Sequence, residues 1–274
     1  MRNHQSLFYV IVCLLSVLAV PSLTMATLVA DDDTTNYGNA WSGDGGTGFG
    51  TWTLSGNTFY SQSTGNGDGD SNSDGDIDLT GDMNGGSPTR SWGLYANNQT
   101  TSAVRPFDAA MNVGEIFSIS MDNGWLDNDA GVGIALQNSN GDNLFEFFFR
   151  GGMGPNYEVN DSSGINATMV PFTDEGMELE FTLTSSNTYS FNISPLNGTS
   201  STVTGSLFSP AAGQLVSQVR LFAYDGSDFT STTGSHNHYF NSMSIAVPEP
   251  SAFLLLGVLC AVMGRSRSRL LQTV

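Results

Sequence analysis

The chain of 274 residues is predicted to be an all-β protein in which two antiparallel sheets pack face to face as a β-sandwich. Most of the chain divides into short segments that alternate apolar and polar residues, which is the period of a half-buried strand. Clusters of Gly, Asn, Asp and Ser separate these segments and supply turn residues. No window of the body shows a convincing helical period. About a dozen alternating strands at this spacing are typical of two packed sheets.

Three segments show the alternation most clearly, at residues 115–122, 143–150 and 177–183. One face of the strand 143–150 carries three phenylalanines, and we expect these rings to lie in the core because burial of an aromatic ring is strongly favourable. The opposite face carries a glutamate, a phenylalanine and an arginine. The first face holds Phe145, Phe147 and Phe149, and the second holds Glu146, Phe148 and Arg150.

The remaining strands follow in order along the body. The loop 138–142 reads Asn-Ser-Asn-Gly-Asp, which is the composition of a hairpin turn between strands 131–137 and 143–150. Pro106 suggests that strand 101–106 lies at a sheet edge, because proline has no N–H to donate to a neighbouring strand. The other predicted strands are residues 49–54, 57–62, 90–95, 189–193, 202–208, 215–224 and 239–247.

The first 26 residues are predicted to be a secretory signal peptide with an apolar helix. A basic start, an apolar stretch and a proline precede a small-x-Ala cleavage site that ends at Ala26, before Thr27. The alternative cleavage site is Leu28-Val29-Ala30. The two cysteines of the chain, Cys13 and Cys260, lie in the terminal segments. We therefore expect no disulfide and no thiolate metal site in the mature body.

The tail, residues 247–274, has three parts. An apolar run of about a dozen residues follows two prolines, which keep the start of the tail extended and accessible. We expect this run to be a helix too short for a stable membrane span, which needs roughly 18–20 residues. Such a tail indicates a temporary anchor that a membrane enzyme removes; the alternatives are an ordinary single-pass anchor and a buried core helix. The opening motif is Val247, Pro248, Glu249 and Pro250, and the basic end, expected on the cytoplasmic side, is Arg265, Arg267 and Arg269.

These three parts resemble the PEP-CTERM sorting signal of Gram-negative bacteria. The resemblance implies export through the Sec translocon and recognition of the tail by an exosortase, a membrane protease or transpeptidase. It also implies transient anchoring in the inner membrane, followed by a place at the cell surface or in an extracellular exopolysaccharide matrix. The predicted organisation is a signal peptide over residues 1–26, a β-sandwich domain over 27–246 and a sorting tail over 247–274.

The body resembles the jelly-roll of the concanavalin A-like lectin, glucanase and LamG group. The segments that carry this resemblance are residues 91–96, 117–124, 144–152 and 187–191. The resemblance implies a jelly-roll sandwich, in which calcium is often held at a loop-rich rim. None of these segments is a catalytic motif.

The charge of the body restricts its partners. Glu249 and four of the eight basic residues lie in the terminal segments, which leaves 25 acidic residues, four arginines and no lysine, a net charge near −21. Such a surface repels nucleic acid and anionic lipid, and it attracts divalent cations. We therefore expect no nucleic-acid partner.

An acidic loop offers the first candidate calcium site. Oxygen-bearing side chains alternate along it, with a glycine where an EF-hand loop requires its sharp turn. The closing bidentate carboxylate is missing, because Gly81 stands at that position. A flexible acidic loop whose charges face water is the alternative. The candidate ligands are Asp70, Asn72, Asp74, Asp76 and Asp78.

A second candidate site lies in the connection 124–131. Trp125 follows a turn there, and a ring in that place could stack on a sugar while carboxylates bind its hydroxyls or a calcium ion. Asp and Asn are also common turn residues, which is the alternative. The candidate residues are Asp122, Trp125, Asp127 and Asp129. The other aromatic candidates are Trp41, Trp52, Trp92, Tyr157 and Tyr224, most of which we expect to pack in the core or at its rim.

We assign no catalytic residue. Glu178 and Glu180 share one strand face, as the carboxylate pair of a retaining glycosidase can, but the Glu-x-Asp-x-x-Glu pattern of jelly-roll glucanases is absent. A solvated strand face is the preferred interpretation of this pair. His236 and His238 have no third histidine beside them in the body, and we interpret them as polar residues on a strand edge rather than metal ligands.

The prediction is an exported, non-enzymatic protein of the cell surface or exopolysaccharide matrix that binds carbohydrate with support from structural calcium. One alternative is a purely structural surface-coat protein. The other is a jelly-roll glycan hydrolase or lyase, which the missing acidic pattern disfavours.

Overall fold

The computed structural model describes residues 26–37, 41–62, 90–96, 98–124, 126, 128, 130–173, 176–196, 198–208, 215–225 and 237–248. The predicted calcium loop from Asp70 to Asp78 lies outside these residues. So do Trp125, Asp127, Asp129, the signal peptide up to residue 25 and the tail after Pro248. The predictions made for those residues therefore stay predictions.

The described part of the chain forms fifteen strands and one short 3₁₀ helix, Thr34–Asn36. The strands are β1 (Thr27–Asp33), β2 (Thr53–Ser55), β3 (Asn57–Gln62), β4 (Arg90–Tyr95), β5 (Thr100–Pro106), β6 (Ile116–Asn123), β7 (Ala130–Gln137), β8 (Asn143–Arg150), β9 (Asn156–Asp161), β10 (Gly164–Pro171), β11 (Met177–Leu183), β12 (Thr188–Pro195), β13 (Ser201–Ser206), β14 (Gln218–Asp225) and β15 (Asn237–Val247).

These strands form two antiparallel sheets that pack as a sandwich. The eight-stranded sheet has the order β13-β12-β11-β6-β15-β4-β3, and β1 pairs with β15 beside this path. The seven-stranded sheet has the order β10-β9-β8-β7-β14-β5-β2. The predicted fold class is confirmed, and the arrangement is consistent with a jelly-roll.

The core lies between the two sheets, where the inward positions of every long strand meet. Phe145 of β8 lies 5.1 Å from the ring of Phe181, 4.8 Å from Tyr189 and 4.9 Å from Phe191. All four rings are essentially unexposed. The alternation seen in the sequence thus has a simple cause, since each strand turns every second side chain toward the opposite sheet.

A buried ion pair ties the N-terminal segment to the sandwich. Arg105 of β5 lies 3.2 Å from Asp32 of β1, and neither side chain is exposed. The Tyr37 hydroxyl donates to Asp32 and accepts from Arg105 and from the Trp52 indole. Trp92 packs against Tyr37 and Trp52 in the same cluster. A buried pair of this kind needs its full set of hydrogen bonds, because removal of two charges from water is costly.

Some elements differ from the prediction. The strands β1, β9 and β10 were not among those predicted. A tight turn connects β9 to β10, and Asp161 at the end of β9 pairs with Gly164 at the start of β10. Strand β5 is not a sheet edge, because it lies between β14 and β2; Pro106 is its last residue. Proline at a strand end needs no ladder hydrogen bond.

Candidate functional site

The outer face of the seven-stranded sheet carries an aromatic and charged patch, which we call the aromatic face. Its rings are Phe148 of β8 and Phe222 and Tyr224 of β14, and its cations are Arg150 and Arg220. These side chains point away from the core because they alternate with the buried residues of the same strands. Arg150 lies over Phe148 at 5.4 Å, and Arg220 lies over Phe222 at 5.1 Å.

Small residues of β7 allow the rings to come together. Gly133 pairs with Phe148 on one side and with Phe222 on the other, and Gly131 pairs in the same way with Arg150 and Tyr224. A Cβ atom at Gly131 would meet the Tyr224 ring, so this tyrosine lies across the glycine backbone. Tyr224 and the two arginines are half-buried, whereas Phe148 and Phe222 are almost fully covered. Tyr224 therefore offers the most open ring.

Hydrogen bonds hold the polar groups around these rings. Arg150 donates to both carboxylate oxygens of Glu158, over 2.7 and 2.8 Å. This bidentate bond raises the pKa of Arg150. The carboxylate of Glu146 accepts from the amides of Asn143 and Asn160, each at 2.6 Å. The face thus presents carboxylates, amides and guanidinium groups in positions set by strand register.

Arg220 differs from the other arginines whose side chains are described. It pairs across the sheet with Ala135, and Ala135 pairs with Glu146 on its other side. Burial lowers the pKa of Arg220, and the negative charge of Glu146 offsets this effect in part. Within the described part of the chain it forms no ion pair; the two ion pairs found there belong to Arg105 and Arg150.

A cavity of about 680 Å³ lies where β8 ends, one residue beyond Arg150. Leu126 and Asn128 of the predicted ligand-binding connection contribute to its wall, together with Phe149 and Phe172. Asp122, also predicted for that site, is buried, and its Oδ1 accepts from the backbone N–H groups of Asn123 and Gly176. These bonds give Asp122 a structural role, whereas the ligand and calcium predictions for this connection remain predictions.

The outer face of the eight-stranded sheet carries a smaller groove, of about 210 Å³. Glu178 and Glu180 point outward along one wall, and Asp31 lines the groove as well. Partial burial, and then the charge of Asp33, raise the pKa of Asp31. The floor is formed by serines on β6 and β15, namely Ser118, Ser120, Ser242 and Ser244. The prediction that Glu178 and Glu180 lie on a solvated strand face is confirmed.

His238 lies elsewhere than expected. The prediction of a polar strand-edge position is wrong for this residue, because its ring is fully buried between the sheets. Its Nδ1 lies 3.2 Å from the backbone carbonyl oxygen of Phe222. Burial lowers the pKa of His238 to about 3, so the imidazole is neutral in the fold.

Most of the aromatic residues proposed for sugar stacking lie in the core. Trp41, Trp52, Trp92 and Tyr157 are buried, as we expected for most of them. Tyr224 is the exception among those described. Phe148 and Phe222 were not proposed, although the alternation of strand 143–150 already placed Phe148 on the outer face with Glu146 and Arg150.

Within the residues described above, no group of three or more His, Cys, Asp or Glu side chains is arranged to hold a metal ion. No helix in that part of the chain has the length and hydropathy needed to cross a bilayer.

No protein-family model matches the chain. No curated protein matches it either.

Solved structures with a similar arrangement do exist. A carbohydrate esterase from the Shiga toxin-encoding bacteriophage phi24B has 13% identity and a TM-score of 0.49, over 82% of this chain and 100% of that one. A glycosyl hydrolase family 16 protein from Mycobacterium smegmatis has 12% identity and a TM-score of 0.47, and the match covers 80% of this chain and 100% of that one. The Ca²⁺-bound exoplasmic/lumenal domain of VIP36 has 11% identity and a TM-score of 0.39, and the match covers 59% of this chain and 79% of that one. A sialidase is matched over 15% of its own length.

These structures correct one prediction from the sequence. The prediction that the chain is not an enzyme is contradicted, since several of the similar structures are described as glycosyl hydrolase family proteins. One more is described as a pseudo β-1,3-glucanase. We withdraw the prediction.

Proposed function

We propose that this protein binds carbohydrate on the aromatic face of the seven-stranded sheet. The observation that carries the proposal is the joint placement of three aromatic rings, two arginines and a network of amides and carboxylates on adjacent rows of that sheet. A sugar ring has an apolar C–H face and a rim of hydroxyl groups. It therefore needs an aromatic surface beside convergent donors and acceptors.

The geometry supports a defined orientation for such a ligand. Tyr224 supplies the open ring, and Arg150 lies in the same row across Gly131. Glu158 lies in the neighbouring row, beside Phe148. Because the backbone pairing holds these groups, the face is formed before a ligand arrives and little ordering entropy opposes binding.

Calorimetry of the full chain with a panel of neutral and acidic polysaccharides tests the proposal. We expect saturable binding to at least one polymer and a loss of at least about tenfold in affinity for Tyr224→Ala, the size of one good contact. The matched control is the double variant Glu178→Gln/Glu180→Gln on the opposite sheet, which should bind as the wild type does. Equal affinity for Tyr224→Ala and the wild type would exclude this face, and absence of binding to every polymer would favour the surface-coat alternative.

We also propose that the protein is exported and sorted by its tail, because the motif Val247 to Pro250 precedes a short apolar run and an arginine cluster. Replacement of Pro248, Glu249 and Pro250 by alanine should leave an unprocessed, membrane-retained chain. Unchanged size and location would contradict recognition by an exosortase.

Structural calcium is the third part of the proposal. Its support is the acidic excess of the body and the ligand spacing from Asp70 to Asp78. Thermal unfolding with calcium and with a chelator tests it: a calcium-dependent rise in Tm, lost when Asp70 and Asp74 are replaced by asparagine, is expected. An identical Tm under both conditions would remove calcium from the proposal.

A further inference from the structure

We infer that the aromatic face selects an acidic polysaccharide whose sugars carry a carboxylate, and that Arg220 binds this carboxylate. The inference rests on the proposed function and names the substrate class of the same face. The inference depends on which of the described arginine side chains have carboxylate partners.

Two arginines already have carboxylate partners. Arg105 is paired with Asp32 in the core, and Arg150 with Glu158 through two hydrogen bonds. Both guanidinium groups are therefore neutralised within the fold. Neither is available as the main contact for an anionic ligand.

Arg220 has the opposite environment. Its guanidinium is half-buried over the Phe222 ring, and within the described part of the chain no acceptor forms an ion pair with it. Glu146 is the nearest compensating charge, but both of its oxygens accept from amides, those of Asn143 and Asn160. A partly desolvated guanidinium has five donors, and a carboxylate is the group that fits them in a bidentate manner.

The position of Arg220 on β14 also suits the carboxylate of a sugar acid. It lies on the strand that carries Phe222 and Tyr224, at two-residue spacing, so its guanidinium and the two rings lie on one face. A polyuronate that contacts Tyr224 with one sugar can direct the carboxylate of a neighbouring sugar toward Arg220, because the two residues lie about 13 Å apart along β14 with the Phe222 ring between them. The acidic body repels a polyanion at long range, but this repulsion is screened beyond about 8 Å at physiological ionic strength.

The test uses polygalacturonate and the same polymer after reduction of its carboxyl groups, with calorimetry at physiological salt. We expect the wild type to bind polygalacturonate at least about tenfold more tightly than the reduced polymer. Arg220→Gln should remove this preference, with a loss of at least about tenfold in affinity for polygalacturonate and a smaller loss for the reduced polymer, whereas Arg220→Lys should retain part of the preference. The control is Glu178→Gln/Glu180→Gln, and equal Tm values would show that each variant folds.

The outcomes separate the inference from the proposed function. Equal affinity for both polymers, or an equal loss for both in Arg220→Gln, would overturn the role of Arg220 and leave glycan binding in place. Failure of the wild type to bind these polymers and every neutral glycan would overturn both.

Discussion

Nδ1 of His238 lies 3.2 Å from the backbone carbonyl oxygen of Phe222, so a side chain of the eight-stranded sheet contacts the backbone of the strand that carries the aromatic face. A carbonyl oxygen only accepts, so Nδ1 carries the proton and donates. Nε2 of the same ring is buried and has no hydrogen-bond partner among the described residues. The imidazole therefore has no second acceptor there that would stabilise an added proton.

The first prediction concerns pH. Because the pKa of His238 is about 3 in the fold and about 6.5 when unfolded, the unfolded chain gains a proton first as the pH falls. The stability that neutral His238 supplies is complete above pH 6.5 and decreases from there toward pH 3. From pH 7.5 to pH 5 the loss should be about 2 kcal/mol. Urea unfolding of the wild type and His238→Asn at both pH values measures it, and parallel changes in the two proteins would contradict the shift.

The second prediction concerns the buried ion pair. Arg105→Met leaves the Asp32 carboxylate buried without its cation and should lower the free energy of unfolding by about 3–5 kcal/mol. Arg150→Met, in a pair whose side chains are 24% and 16% exposed, should cost less than about 1 kcal/mol. Chemical denaturation of both variants gives the comparison. Similar losses would mean that the buried pair adds nothing beyond a surface pair.

The third prediction concerns Gly133 of β7, which pairs with Phe148 on one side and Phe222 on the other. A Cβ atom at Gly133 would fall against the carbonyl oxygen of Phe147 and the Cβ of Phe148. Backbone must shift to admit it, so Gly133→Ala should destabilise the fold by about 1–3 kcal/mol. Gly131→Ala is the comparison, because the Tyr224 side chain can move aside. We expect a smaller change in Tm for Gly131→Ala, and the reverse order would contradict the packing of β7.

The fourth prediction concerns a buried tyrosine. The Tyr189 hydroxyl donates to Asp161 over 2.8 Å, and burial together with this carboxylate raises the pKa of Tyr189. Tyr189→Phe removes the donor and should cost about 1.5–3 kcal/mol, the range for a hydrogen bond to a charged group. Equilibrium unfolding at neutral pH measures the loss. An unchanged midpoint would show that water replaces the hydroxyl at Asp161.

The sequence predicted the fold class because strand alternation is local. Met177–Leu183 was predicted with its exact ends, and the loop between β7 and β8 was identified from its Asn and Gly residues. In the strand every second residue is apolar, and in the loop the Asn and Gly residues mark a turn. The strands β9 and β10 were missed because several of their positions are polar or exposed, and their pairing with each other and with β8 supplies what the local pattern lacks.

The net charge and the alternation of side chains along the strands could be predicted from the sequence alone. The aromatic face could not, because its parts are far apart in the chain. Phe148 and Phe222 join one cluster only when β7 lies between β8 and β14, and the register then places Gly133 between these two residues and Gly131 beside Tyr224. The buried position of His238 could not be predicted from the sequence either, because its sequence neighbours suggested a strand edge. Side-chain type and spacing set which face of a strand is apolar, whereas strand order and register determine which side chains share a surface.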